Sequence, residues 1–350
     1  MNRRGFLLAA GGALAATRAA AQTVVTPAGS GALPVPHEGL PLGPLSAHYP
    51  DPAVQTLDRR FPGTPGNASV ERVASGFRWA EGPAYFAAGR YLVFSDVANN
   101  RLMRLIEDDG RISTFRQPSM NANGNTVDHA GRLITCEHFS RRVTRTELDG
   151  TITVLAERAG GKRFNSPNDV AVAPDGSIWF TDPTYGLGSD YEGEKGTKEQ
   201  AGNHVYRIDP ASGAVTKAAD GFDQPNGITF SPDGRTAYIV DSGQAACIFA
   251  FDADLASGRL TNRRVFTSSG GPGISDGLRC DVAGNVWTTF GWGDAKEDGV
   301  RCYAPDGTLL GKIHLPEVAA NLTFGGPLRN RLYICASTSV YAIYVSTRGA

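Results

Sequence analysis

Five glycines in this chain share a polar neighbour at a fixed distance. Counting back eight residues from Gly89, Gly131, Gly176, Gly234 and Gly284 reaches Glu81, Asn123, Asn168, Asn226 and Asp276. Each glycine lies in a turn between two apolar runs. The clearest copy spans 168–182 and reads N-D-V-A-V-A-P-D-G-S-I-W-F-T-D. Pro-Asp-Gly between apolar runs is a hairpin signal, because glycine tolerates positive φ and Asp bonds its own backbone. A sixth, weaker copy starts at Asn321, with a turn about one residue longer. Turn glycines alone need little explanation. A carboxylate or carboxamide at one offset before every one of them does.

The spacing sets the fold class. Glu81 to Asn123 is 42 residues and Asn168 to Asn226 is 58, which brackets the length of a four-stranded propeller blade. Second hairpins lie between the copies, and no long amphipathic helical pattern interrupts them. The 43 glycines and 21 prolines suit many short strands and turns. The sequence therefore predicts an all-β, six-bladed β-propeller over residues 69–350 with a central metal site. A β-sandwich would not require a polar residue at one offset in every repeat.

In a propeller the innermost strands line a central channel, so equivalent positions converge near one end of it. Glu81 and Asp276 would then face each other among Asn123, Asn168, Asn226 and Asn321. Two carboxylates at close range repel, and a divalent cation relieves that repulsion. An all-oxygen set without Cys or His selects a hard cation, Ca²⁺ in preference to Mg²⁺. Zn²⁺ and Mn²⁺ are further candidates. A single asparagine in this position would more simply cap a strand end. Six in-register positions with two acids are harder to explain that way.

Residues 1–21 read as an export signal. Arg3-Arg4 precedes an apolar stretch, and Ala19-Ala20-Ala21 supplies small residues for cleavage. The run is too short to span a bilayer, so the expectation is export by the twin-arginine route to the periplasm or beyond. No membrane association is expected after cleavage. Residues 22–68 are rich in Pro, Gly, Ser and Ala without a period, and read as an arm or linker. A net charge of −1 gives no basis for binding nucleic acid. The five cysteines include no C-x-x-C pair, which argues against a full disulfide framework or a zinc site and places them in the core. Residues 186–203 form a charged, Gly-rich insertion after the central copy. It reads either as a lid over the channel mouth or as a solvated loop.

The motifs W-A-E-G-P at 79–83, C-E-H at 136–138, G-K-R-F-N-S-P-N-D at 161–169, F-T-D-P-T-Y-G-L at 180–187, Q-P-N-G at 224–227 and S-D-G-L at 275–278 together resemble the SMP-30/gluconolactonase family. The resemblance is nearest to its secreted bacterial gluconolactonases. It implies a six-bladed propeller, a divalent metal held by Glu81, Asn168, Asn226 and Asp276, and hydrolysis of a small-molecule sugar lactone such as D-glucono-1,5-lactone. Asn168 is the ligand that family members treat least uniformly, through water or substrate in some.

For the chemistry, the residues offer two candidates to take a proton from water, Asp276 and His138. His138 reads equally as a hydrogen-bonded structural histidine. Asn123, Asn168, Arg163 and Tyr185 are candidates for binding substrate, with blade-edge packing the plainer reading of the last two. No G-x-S-x-G motif suggests a serine nucleophile. Two other functions fit the same features: a hydrolase of another ester or an organophosphate, and a non-catalytic propeller stabilised by calcium.

Overall fold

The structure is a computed structural model that describes residues 42–350. The export signal and the first part of the arm lie outside the described residues. Alongside a separate two-stranded sheet that pairs Arg158–Ala159 with Lys162–Arg163, six antiparallel sheets of four or five strands make up the blades. Their innermost strands are Ala80–Phe86, Ala122–Val127, Val170–Val172, Pro225–Phe230, Ile274–Cys280 and Ala319–Gly325. Each packs on the inner strands of the blades either side, and the sixth returns to the first. The chain is thus a closed six-bladed β-propeller.

The ring closes with strands from opposite ends of the described chain. Glu71–Ser75 pairs antiparallel with Ser339–Tyr344 and becomes the outer strand of blade six. The arm before it adds two short edge strands. Val54–Thr56 extends blade five beside Leu309–His314, and Gly43–Pro44 extends blade six beside Glu71–Ser75. Asp51 fixes the segment between them, because its carboxylate accepts from the Ala53 and Val70 backbone amides at 2.8 Å each.

The core fills the spaces between blades. Trp179 of blade three packs on Phe230 and Ile239 of blade four, and Trp287 of blade five packs among Leu322, Phe324 and Ile334 of blade six. These side chains alternate with channel-facing or outward positions along each strand, as the two-residue period of a strand requires. All five cysteines are buried and unpaired. Helix is confined, among the described residues, to single turns at Tyr185–Gly188 and Ala295–Glu297.

The inner strands are not regular. Their pairing register slips between Glu81 and Ala84, Ala122 and Asn125, Pro225 and Ile228, Ser275 and Leu278, and Ala319 and Asn321. A β-bulge re-aims the side chains it carries and sharpens local twist. The bulges fall at the polar positions Glu81, Asn123, Asn226, Asp276 and Asn321. They turn these polar side chains out of the ladder.

Candidate active site at the channel mouth

A glycine follows the polar residue in four of the six copies: Gly82, Gly124, Gly227 and Gly277. The reason is close approach. A Cβ on Gly82 would stand 2.1 Å from the Asn123 carbonyl oxygen, and one on Gly227 2.3 Å from that of Asp276. Neighbouring inner strands touch there backbone to backbone. Hydroxyls from second strands tie the same contacts: Ser95 donates to the Asn123 carbonyl at 2.6 Å, Thr181 to that of Asn226 at 2.7 Å, and Thr289 to that of Ala320 at 2.8 Å. The ring of polar residues is therefore narrow and held by the backbone.

In the third copy Asp169 occupies the position that glycine takes elsewhere. It is buried, and its carboxylate enters the channel as a third acid. One oxygen faces Asn321 Nδ2 at 3.4 Å, and the other accepts from the Ile228 amide at 3.2 Å and faces Arg279 Nη1 at 3.4 Å. Sequence reasoning missed Asp169 by looking only at the residue before it. The signal was present: it is an acid in a slot that Gly fills in four of the other five copies.

Glu81 and Asp276 are likewise buried. Burial pushes both carboxyls well above the usual carboxylate range, and the charges of neighbouring acids add to it. For Glu81 those neighbours are Asp276 and Asp169; for Asp276 they are Asp169 and Glu192. Asn321 donates toward Glu81 at 3.5 Å as well as toward Asp169, so its amide end faces the acids. Its own carbonyl oxygen accepts from the Leu322 amide at 2.8 Å. Asn321 thus serves the acids as a donor, not as an oxygen ligand.

The other carboxamides behave differently. The Oδ1 atoms of Asn123 and Asn168 are buried with no hydrogen-bond partner in the described residues. Such oxygens are costly to leave unpaired. Asn168 turns its amide toward His138 Nε2, 3.5 Å away, and His138 Nδ1 donates to the Glu192 carbonyl at 3.1 Å. Burial lowers the His138 pKa to about 4, so the ring is neutral near pH 7, with the proton on Nδ1 and the Nε2 lone pair toward Asn168. Asn226 donates to Ser242 Oγ at 3.0 Å, and that hydroxyl also bonds Tyr185 OH at 2.7 Å. Tyr185 therefore braces Asn226.

Arg163 stands apart from this ring. Its guanidinium donates to the Ser140 carbonyl at 3.3 Å, and its backbone amide donates to Glu199 at 2.9 Å. It fastens the base of the 186–203 insertion, together with Gln200, which donates to the carbonyls of Ala159, Lys162 and Arg163. The insertion lies against the channel mouth, where it brings the Glu192 carbonyl to His138. The Glu192 carboxyl, pushed up by burial, adds its charge near Asp276. Glu192 had no periodic signal in the sequence.

The donor set fits a hard divalent cation. It offers carboxylates from Glu81, Asp276 and Asp169 and two orphaned carboxamide oxygens, and Arg279 is the cation paired with Asp169 at its floor. No group of three or more His, Cys, Asp or Glu side chains among the described residues forms a metal cluster by itself. A cation here would depend on the asparagines.

The chain is similar to several known lactonases. A gluconolactonase of Zymomonas mobilis is 31% identical over 303 residues, 80% of this chain and 82% of its own. A pentonolactonase of Haloferax volcanii is 27% identical over 73% of this chain and 81% of its own. Among solved structures, a gluconolactonase of Xanthomonas campestris superposes with a TM-score of 0.76 at 35% identity, covering 83% of this chain and 94% of that one. Residues 79–338, which carry all six polar positions, match the SMP-30/Gluconolactonase/LRE-like region, and the chain belongs to that family.

Proposed function

We propose that this protein hydrolyses a sugar lactone to its aldonic acid at the channel mouth, with a divalent cation, Ca²⁺ by preference, held by Glu81, Asn168, Asn226 and Asp276. The observation that carries the reading is the convergence of three buried carboxylates with the orphaned Asn123 and Asn168 oxygens. The gluconolactonase and pentonolactonase names of its relatives support the substrate class.

A bound divalent cation supplies Lewis acidity, polarising the lactone carbonyl and stabilising negative charge on its oxygen. The residues of the chain do the rest. Asp276 accepts the proton of the attacking water, as the buried carboxylate at the ring that can reach both the cation and the water. Water oxygen bonds to the carbonyl carbon, the ring C–O bond breaks, and the proton from Asp276 passes to the departing ring oxygen. His138 keeps Asn168 turned so that its oxygen faces the channel, and Tyr185 with Ser242 does the same for Asn226. Asn123 offers its free oxygen to a substrate hydroxyl. The protein works outside the cytoplasm, a reading supported by Arg3-Arg4 and the apolar stretch after it.

The test is proton release by chelated protein after addition of Ca²⁺, Mg²⁺, Mn²⁺ or Zn²⁺, with glucono-1,5-lactone, a five-carbon lactone and a phosphotriester as substrates. Turnover of a sugar lactone restored by Ca²⁺, and lowered about a thousandfold in Asp276→Asn, is expected. Folded, cation-loaded protein that opens no lactone faster than buffer overturns the reading.

A further inference from the structure

Trp292 is the most exposed tryptophan of the fold. It is 62% exposed, and its backbone is left-handed, with φ of 66°. A bulky residue rarely adopts that conformation, and it persists only where surrounding structure imposes it. The glycines on either side impose it here. A Cβ on Gly291 would meet Val318 at 2.5 Å, and one on Gly293 would meet the Pro272 carbonyl oxygen at 2.4 Å. The loop is clamped from both flanks, and what it presents to solvent is an indole. That indole leans on Trp79 of blade one, with ring centroids 5.4 Å apart and planes at 33°. Trp79 is itself fixed, since its carbonyl accepts from the Val97 amide at 3.0 Å.

The strand register locates the pair. Trp79 lies two residues before Glu81, immediately ahead of the bulged strand Ala80–Phe86. Trp292 follows Gly291, which pairs across the ladder with Ile274, two residues before Asp276. Along the strands the Trp79 backbone is therefore about 7 Å from that of Glu81, and the Trp292 backbone about 10 Å from that of Asp276, both toward the same end of the channel. An exposed aromatic surface beside a polar cleft is where an amphipathic ligand rests its apolar face. A sugar ring has such a face, made of C–H bonds. An offset of about 7 to 10 Å is on the order of one to two hexose units, so a ring on this platform is the neighbour of the ring being opened.

We infer that Trp79 and Trp292 form a sugar-stacking subsite, and that the substrates of this site include glycosylated aldonolactones, in which a second sugar ring lies on the indole pair. This rests on the lactonase reading for its chemistry, though not for the binding itself. Trp292 is a specificity-determining residue in this account, and it takes no part in bond breaking.

The experiment compares wild type, Trp292→Ala and Trp292→Phe with cellobiono-1,5-lactone and glucono-1,5-lactone. The ratio of kcat/KM for the disaccharide lactone over the monosaccharide lactone should fall about tenfold in Trp292→Ala through KM, and largely recover in Trp292→Phe. An unchanged ratio in Trp292→Ala overturns the inference. Cellobionate, which has no lactone to open, separates this from the reaction itself. It should quench the tryptophan fluorescence of wild type saturably and bind Trp292→Ala at least about tenfold more weakly. If wild type opens neither lactone but binds cellobionate through Trp292, the reaction assignment fails and the subsite stands. Equal cellobionate affinity in both proteins removes the subsite.

Discussion

Arg279 Nη1 lies 3.4 Å from an Asp169 carboxylate oxygen, joining blade five to blade three across 110 residues of chain. Arg279 is three residues below Asp276 on its inner strand, so it closes the floor of the acidic ring. Its charge also opposes the upward push on Glu81. Breaking a buried pair by removing one partner leaves a charge uncompensated. Arg279→Met should cost about 3 kcal/mol in urea unfolding of the cation-free protein. The same change in an Asp169→Asn background should cost clearly less, and strictly additive costs would mean the two groups do not act on each other.

The close approach of the inner strands gives a second test. A Cβ on Gly227 has no room between Asp276 O and Leu278 Cδ2, at 2.3 and 2.6 Å. Gly227→Ala should destabilise by about 2 kcal/mol and weaken cation binding by spreading Asn226 from Asp276. Gly271→Ala is the control, since nothing lies within 4 Å of its added methyl. It should stay within about 0.5 kcal/mol of wild type. If the two variants unfold alike, the blades are not in backbone contact at the ring.

The propeller was legible because its repeat is written twice, in turn glycines and in the polar residues before them. Each sign constrains the other: the turn sets the hairpin and the offset sets which end of the strand faces the channel. Asp169 escaped that rule because Asn168 and Asp169 both stand just ahead of the regular strand Val170–Val172, where the period of two does not hold. Glu192 was invisible, since an insertion without periodicity gives no position in space. The edge strands Val54–Thr56 and Gly43–Pro44 were hidden for another reason. They are two or three residues long, one holds a proline, and their pairing is decided by the blades they join. Arg163 and Tyr185 were found by nearness in sequence to the central copy. The fold uses one to hold the insertion and the other to brace Asn226.

His138 separates positioning from proton transfer. The Nε2 lone pair faces the Asn168 amide, and Nδ1 donates to the Glu192 carbonyl. A glutamine at this position offers an acceptor and a donor in similar places. His138→Gln should keep kcat within about tenfold of wild type with the same pH–rate limbs, while His138→Leu should lose about a hundredfold and bind the cation more weakly. Loss of a thousandfold or more in His138→Gln, with the acidic limb abolished, would make the imidazole the base in place of Asp276.

The cysteines report on whether the blades stay shut. Burial pushes all five thiols above their ordinary range, Cys247 to about 11. The thiolate is the reactive form, so at pH 8 a thiol with that pKa is only about a thousandth ionised. Each also lies between strands, where a reagent enters only after local opening. Native protein at pH 8 should therefore release no fast thiol to an aromatic disulfide, and denatured protein should release all five. Raising the pH toward the folded pKa should bring Cys247 in first, since the thiols of Cys136 and Cys335 are fully buried and pushed up well beyond the ordinary range. A fast thiol in the native state at pH 8 would place an open seam beside its blade, and single Cys→Ser variants would identify which one.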